Sequence, residues 1–365
     1  MVELLKTEYD IVIVGAGPAG TSTAYFSKIF DENNSKNILL IESLTKKKFI
    51  RYHHMCGEVV SKYIEKDFQK INISNFVINK INRFVEFWGN KVKIQNHLAG
   101  YVIDRPMILL HLIDKFKSMD GKLLTDKLTY FKEKGKKIEL RLEKNGIIKT
   151  KYLIIATGPK KLVRNISAIK GNIFYSLLYQ ILVKNYPLEK NCVEFYYDEK
   201  YKENYKWIFP YGELVKIGVP FENKNELEKY CKYKIMRKDM KSVCCGILDC
   251  YNHNNLLLVG DAAFQNNPLT KGGIRNAINA GKMAAESLII YDDPSKYDFM
   301  WKNSKFFNQP YLTTSNKLKT MKNEELIYHS KPLKYYPFTL PLILTKYKDY
   351  IPLYKTYISS GKFGW

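Results

Sequence analysis

The chain has 365 residues, 45% of them apolar and 26% charged, which is a globular balance sufficient for one large or two modest domains. Lys plus Arg is 59 against 36 Asp plus Glu, a net charge of +23; with the lysines spread evenly and no nucleic-acid-binding module, nucleic acid is excluded in favour of an anionic membrane surface, biased genome composition being the competing explanation. Six scattered cysteines (56, 192, 231, 244, 245 and 250) exclude a disulfide framework, and the longest apolar stretches, such as Tyr336 to Thr345, fall short of a membrane span. The expectation is a cytoplasmic protein attached peripherally to membranes, since a strand and a glycine loop stand where a signal peptide would lie.

Ile11-Val12-Ile13-Val14 reads as a buried parallel strand, Thr21 to Phe30 as a helix, and Ile38-Leu39-Leu40-Ile41 as the next strand. Together they form one βαβ unit. Residues 102–117 read as a helix, with Asp104 as cap and Pro106 in the first turn. Residues 127–156 read as a meander that ends in the apolar strand Tyr152 to Ala156. Residues 172–220 read as several antiparallel strands, Leu256 to Val259 as a last buried strand, and Gly273 to Ile290 as a long helix. From Trp301 onward eleven lysines face only Glu324, Glu325 and Asp349, among many aromatics.

Gly15-Ala16-Gly17-Pro18-Ala19-Gly20 joins the first strand to its helix. Gly15 permits the tight turn, Gly17 lets the backbone approach a pyrophosphate, and Gly20 lets helix and strand pack closely, with Ala19 in the same loop. Phosphates then sit on free N–H groups at the helix N-terminus. Glu42 ends the second strand, where its carboxylate can accept from ribose hydroxyls. Gly158 closes the strand Ile154 to Ala156 with small residues that leave room for a cofactor. Leu257 to Ala263 delivers Asp261 at a strand end, placed to accept from a ribityl hydroxyl. The backbone of Gly272, Gly273 and Ile274, at a helix start, can stabilise negative charge on a reduced flavin ring. A nicotinamide enzyme does not need this second remote loop; a flavin held by both ends does.

These signals resemble the FAD-binding superfamily that includes para-hydroxybenzoate hydroxylase, over roughly residues 8–290. Val102-Ile103-Asp104-Arg105 is similar to that superfamily's arginine before a helix, which implies that Arg105 contacts the FAD. Two further segments resemble the geranylgeranyl reductases. One is Arg51 to Glu58, whose Cys56 and Gly57 resemble the family's Cys-Gly segment beside the flavin, making Cys56 a candidate catalytic residue. The other is Tyr205-Lys206-Trp207-Ile208-Phe209-Pro210, similar to the family's Tyr/Phe-x-Trp-x-Phe-Pro motif. Tyr205, Trp207 and Phe209 fall on one face of a strand, and by spacing alone would read as ordinary core. With the resemblance, they and Pro210 become candidate substrate contacts for a long apolar chain. Two departures bear on the substrate: the tail is short, and Phe264-Gln265-Asn266 replaces the family's small residues.

No metal is expected. His53, His54 and Cys56 have no second ligand pair, and Cys244, Cys245 and Cys250 with His253 read as buried thiols. The expected fold is α/β (α+β). A Rossmann-like FAD-binding domain with a parallel sheet is assembled from 1–165 and 250–300. An antiparallel-sheet substrate domain spans 166–249, and a helical, membrane-facing tail spans 301–365. The resemblance implies an FAD-dependent reductase that saturates isoprenoid (geranylgeranyl) double bonds of membrane lipids or prenyl diphosphates, with ferredoxin or a nicotinamide nucleotide as electron donor. The alternatives are an FAD-dependent monooxygenase or halogenase on the same fold, and a flavin-bound lipid carrier.

Overall fold

The computed structural model describes residues 6–68, 70–159, 170–307, 309–363 and 365. The β-branched start forms β1 (Glu8–Val14), which the glycine loop turns into α1 (Pro18–Phe30) and then β2 (Ile38–Glu42). After α2 (Lys46–His53), short elements follow: β3 (Val59–Ser61), α3 (Ile64–Asp67), β4 (Val77–Ile81), β5 (Arg83–Trp88), β6 (Val92–Asn96) and β7 (Gly100–Ile103). Next come α4 (Arg105–Ser118), β8 (Lys122–Thr125), β9 (Leu128–Lys134), β10 (Lys137–Leu142) and β11 (Ile147–Ile155). The middle of the chain is mainly strand, broken by a 3-10 stretch over Phe221–Tyr230: β12 (Gly171–Lys184), β13 (Cys192–Tyr197), β14 (Lys206–Tyr211), β15 (Leu214–Pro220), β16 (Lys234–Leu248), β17 (Asn252–His253) and β18 (Leu256–Leu258). Helices close it: α5 (Ile274–Ile289), α6 (Ser295–Lys302), α7 (Gln309–Thr320), α8 (Asn323–Ser330), α9 (Leu340–Thr345) and α10 (Ile351–Phe363).

Among the described residues three sheets result. The first runs β17-β18-β11-β1-β2-β8, with β9 and β10 attached to β11. Its centre is parallel, with Val12 paired to Leu39 on one side and Leu153 on the other. Ile38 to Ile41 are at most 1% exposed, as expected of a strand covered on both faces. The second sheet runs β16-β12-β15-β14-β13-β5-β6 and is antiparallel except for β5 against β13. The third is the small ribbon β3-β7-β4. The protein is thus an α/β fold with a parallel Rossmann-like sheet, an antiparallel sheet and a helical C-terminal region. Among the described residues no helix is long and apolar enough to cross a membrane.

The structure differs from the sequence reading in three places. Residues 102–103 belong to β7, not to a helix, because Asp104 caps α4 by accepting from the Met107 N–H at 3.3 Å. The 15-residue strand β16 carries Arg237, Lys238, Asp239 and Lys241, which hide its strand character; its pairing with β12 along almost its whole length supplies it. β5 and β6, inside the 1–165 segment, join the second sheet, so that sheet draws on more than 166–249.

The C-terminus is tied to the first sheet's helices by one buried cluster. Arg275 of α5 donates from Nε to Asp67 at 2.6 Å, and its Nη1 reaches the carbonyls of Lys362 at 3.1 Å and Trp365 at 3.4 Å. Both side chains are nearly enclosed, at 2% and 6% exposure. Removing one partner strands a buried charge, which typically costs about 3–5 kcal/mol. Asp67→Ala is therefore expected to lower the melting temperature strongly, and Asp67→Ala/Arg275→Met to recover much of the loss. Equal melting of wild type and Asp67→Ala in thermal denaturation would show that the cluster holds nothing.

Candidate functional site

One cavity of about 920 Å³ is lined by the first sheet, the second sheet and the C-terminal helices. At one end is the turn between β1 and α1. Gly15 has φ +101°, open to glycine and strained for other residues. A Cβ at Gly20 would lie 1.7 Å from the Gly15 carbonyl oxygen, so loop and helix meet backbone to backbone. Gly20 sits beneath the loop and does not line the cavity, whereas Gly15, Gly17 and Ala19 do. α1 starts with no side-chain cap and no acid in its first turn, leaving its N–H groups for an anion. A Cβ at Gly17 would meet only His53, at 3.6 Å; the space beyond is cavity. Glu42 also lines it, held by the Ala16 N–H at 2.8 Å on one oxygen and the Leu44 N–H at 2.7 Å on the other.

Gly158, Asp261, Gly272, Gly273 and Ile274 line the same cavity. α5 starts at Ile274 without a side-chain cap. Its entry loop is braced by residues that departed from the family pattern. Gln265 accepts the Gly260 N–H at 2.7 Å and donates to Tyr297 at 2.8 Å, and Asn266 donates to the Cys244 carbonyl at 2.8 Å. Cys244 and Cys245 are buried free thiols and Cys250 is half-buried; burial pushes the Cys245 thiol up to about 12. Among the described residues no three His, Cys, Asp or Glu side chains gather as a metal site.

The aromatic wall is Tyr205, Trp207 and Phe209, all lining the cavity. The Trp207 indole lies across the backbone of Gly218 on β15, and its Nε1 donates to Gln180 at 3.4 Å. Tyr205 donates to the Thr270 carbonyl, tying the wall to the loop before α5. Pro210 does not line the cavity; strand alternation puts it with Ile208 on the opposite face, paired with Val215.

Cys56 and Gly57 line the cavity where the wall meets the flavin-type loops. A Cβ at Gly57 would lie 2.8 Å from the Phe209 ring, so the two motifs that resemble the reductases touch. The segment is clamped from below. Lys216 of β15 pairs with Glu58, both side chains at 0% exposure, and also donates to the Cys56 carbonyl at 2.7 Å. Burial alone would raise the Glu58 carboxyl, but Lys216, His54 and Arg105 together hold it below the usual range. Arg105 also lines the cavity, and its Nε donates to the His53 carbonyl at 2.8 Å.

Lys216, Glu58 and Glu86 were not singled out by the sequence reading. Lys216 had a signal: a lysine between Val215 and Ile217 in an apolar strand demands a buried partner. Glu86 lies on β5 in the aromatic part of the cavity, near Tyr197 and Tyr357. Burial pushes its carboxyl up to about 7. His53 is desolvated and faces Arg105 and Lys241, which keeps its imidazole well below its usual range, and its Nδ1 has no partner among the described residues. The Thr157 hydroxyl on the cavity wall likewise has no partner among the described residues. These orphan polar atoms, the uncapped helix starts and the glycine-bared cradle fit a polar dinucleotide.

Residues 9–190 match the family model described as pyridine nucleotide-disulphide oxidoreductase. The chain is 28% identical over 321 residues to digeranylgeranylglycerophospholipid reductase of Methanococcus aeolicus, covering 79% of each. It is 27% identical over 360 residues to the protein of that name from Methanocaldococcus jannaschii, covering 88% of this chain and 90% of the relative. A crystal structure described as geranylgeranyl bacteriochlorophyll reductase-like, from Thermoplasma acidophilum, superposes with a TM-score of 0.80 at 22% identity, over 96% of this chain and 99% of that one.

The clamp below Cys56 gives a direct expectation. Lys216→Met leaves Glu58 ionised and enclosed, so stability should fall by about 3–5 kcal/mol, while Lys216→Met/Glu58→Leu should regain most of it. Urea titrations of the three proteins decide this; a double variant no more stable than Lys216→Met would mean the lysine acts without its carboxylate.

Proposed function

We propose, from the premise that the chain belongs to the geranylgeranyl reductase family of flavoproteins, that it holds FAD and reduces carbon–carbon double bonds of isoprenoid lipids. The observation that carries this reading is the single cavity shared by the two-ended dinucleotide cradle and the aromatic wall. The β1–α1 loop and Glu42 would bind pyrophosphate and ribose; Asp261 and the start of α5 would hold the ribityl and ring end. In this reading segments 1–165 and 250–300 carry the flavin, 166–249 with β5 and β6 covers it, and 301–365 closes the lipid end. When bound, the flavin supplies hydride to an alkene.

The remaining work falls to the chain. Trp207, Tyr205 and Phe209 orient an apolar chain and exclude water, with burial contributing about 25 cal/mol per Å². Cys56 and Gly57, clamped by Lys216 and Glu58, set the cavity floor at the reacting end. An unactivated alkene needs a proton as well as a hydride, and Glu86 can hold one on its carboxyl oxygen at neutral pH, since that carboxyl titrates at about 7. The protonated form is the competent one, so turnover should decline as pH rises through about 7. Glu86→Gln should keep its flavin, lose most turnover and show no inflection there. An unchanged pH–rate profile in Glu86→Gln would assign the proton to another source.

Trp207→Ala tests the wall. The expected protein stays yellow, melts near wild type and loses about 100-fold in isoprenoid turnover, because a ~1 Å misplacement at the reacting carbon has that effect. If the indole is only core, the same variant should instead lose about 3–5 kcal/mol of stability and shed its flavin. Flavin content, melting temperature and product mass on one variant separate the two results.

A further inference from the structure

Large apolar side chains crowd the surface of one short segment. Phe338 is 90% exposed, Tyr335 59% and Leu344 58%, and Leu340 and Leu342 are exposed beside them. The segment is held from inside: Ile343 is 4% exposed and packs with Tyr347 and Tyr354. On α9, Leu340 and Leu344 stand one turn apart, so they share the outer face. Leu333, Tyr336 and Ile343, with Tyr354 and Ile358 of α10, line the cavity described above, and Tyr336 and Ile358 are at the same time exposed, at 46% and 44%, so the cavity reaches the surface here. An apolar ridge outside is therefore continuous with an apolar passage inside.

Charge selects the occupant. From residue 331 to 363 there are six lysines, and the only acid is Asp349, a local net charge of +5. Lys331, Lys334, Lys346 and Lys348 are all exposed around the ridge. A second copy of the chain would bring the same +5 against it and be repelled. An anionic bilayer offers both an apolar interior for the ridge and a negative surface for the lysines.

We infer that residues 335–344 are a membrane-docking ridge. Phe338, Leu340 and Leu344 enter the boundary layer of an anionic bilayer and the lysines lie at its phosphate level. A lipid chain then passes along Tyr336 and Ile343 into the cavity without crossing water. The docking surface stands on its own exposure and charge; only the identity of the lipid that enters rests on the proposed function.

The test uses holo-protein and two kinds of vesicle, phosphatidylcholine alone and phosphatidylcholine mixed with phosphatidylglycerol. Wild type should co-sediment with the mixed vesicles and release as salt rises. Lys334→Gln/Lys346→Gln/Lys348→Gln should bind them on the order of 100-fold more weakly. Phe338→Ser/Leu340→Ser/Leu344→Ser should lose vesicle binding at low salt with unchanged melting temperature and flavin content. It should still turn over a detergent-dispersed geranylgeranyl substrate as wild type does, and fail only on the vesicle-borne one. If wild type reduces neither form, the functional reading falls while sedimentation still decides the docking. Equal binding of wild type to neutral and mixed vesicles, or vesicle binding by the serine variant matching wild type, would overturn the inference. So would a wild-type dimer that the serine variant splits without change in vesicle binding.

Discussion

The pairing of Lys216 with Glu58 is the contact that joins the protein's two halves at the point where chemistry is proposed. Each ion has left water completely, a desolvation penalty of several kcal/mol that only close pairing and further hydrogen bonds can offset. Those further bonds bind the site together. Lys216 also holds the Cys56 carbonyl, and Glu58 accepts the Arg105 N–H at 3.3 Å. The second sheet thereby fixes the Cys-Gly segment of the first half, and Gly57 comes to rest against Phe209. Break the pair, and the Cys-Gly segment loses its buried anchor to the wall, leaving the outer ties of Tyr205 to the Thr270 carbonyl and of Arg237 to the His54 carbonyl.

Along the cavity the lining changes character in a way that follows from the elements supplying it. Strand ends and uncapped helix starts of the parallel sheet present backbone N–H groups, glycines and carboxylates. The antiparallel sheet presents every second side chain of β5, β13 and β14 to one face, and these are mainly aromatic. The two fields meet at Cys56, where a polar cofactor and an apolar chain would be brought edge to edge. The carboxyl of Glu86 is the exception on the aromatic side, and its raised proton affinity follows from that isolation.

The first sheet was legible in the sequence because its signals are local. A β-branched run, a glycine loop and a carboxylate at a strand end need no distant partner to be recognised. The aromatic motif was legible too, though not its orientation in full: Pro210 faces away from the cavity because strand alternation outweighs its place in the motif. β16 was hidden because its charged side chains break the apolar pattern, and only β12 reveals it as a strand. β5 and β6 lie between β4 and β7 in the sequence, yet β5 pairs with β13 and carries β6 on its other edge, a choice made by tertiary contact. Lys216 and Glu58 lie 158 positions apart; no local pattern links them. Residues 160–169 lie outside the described residues, so the boundary expected at 165 falls there.

The central claim is that one cavity brings a flavin and an isoprenoid chain into reacting contact. Holo-protein is reduced without oxygen and mixed, still without oxygen, with a geranylgeranyl lipid. The account predicts that the yellow oxidised absorbance returns on mixing and that the lipid gains the mass of two hydrogens for each flavin reoxidised. A flavin that stays reduced beside the lipid, and turns yellow only when air is admitted while the lipid is unchanged or gains oxygen, would contradict it.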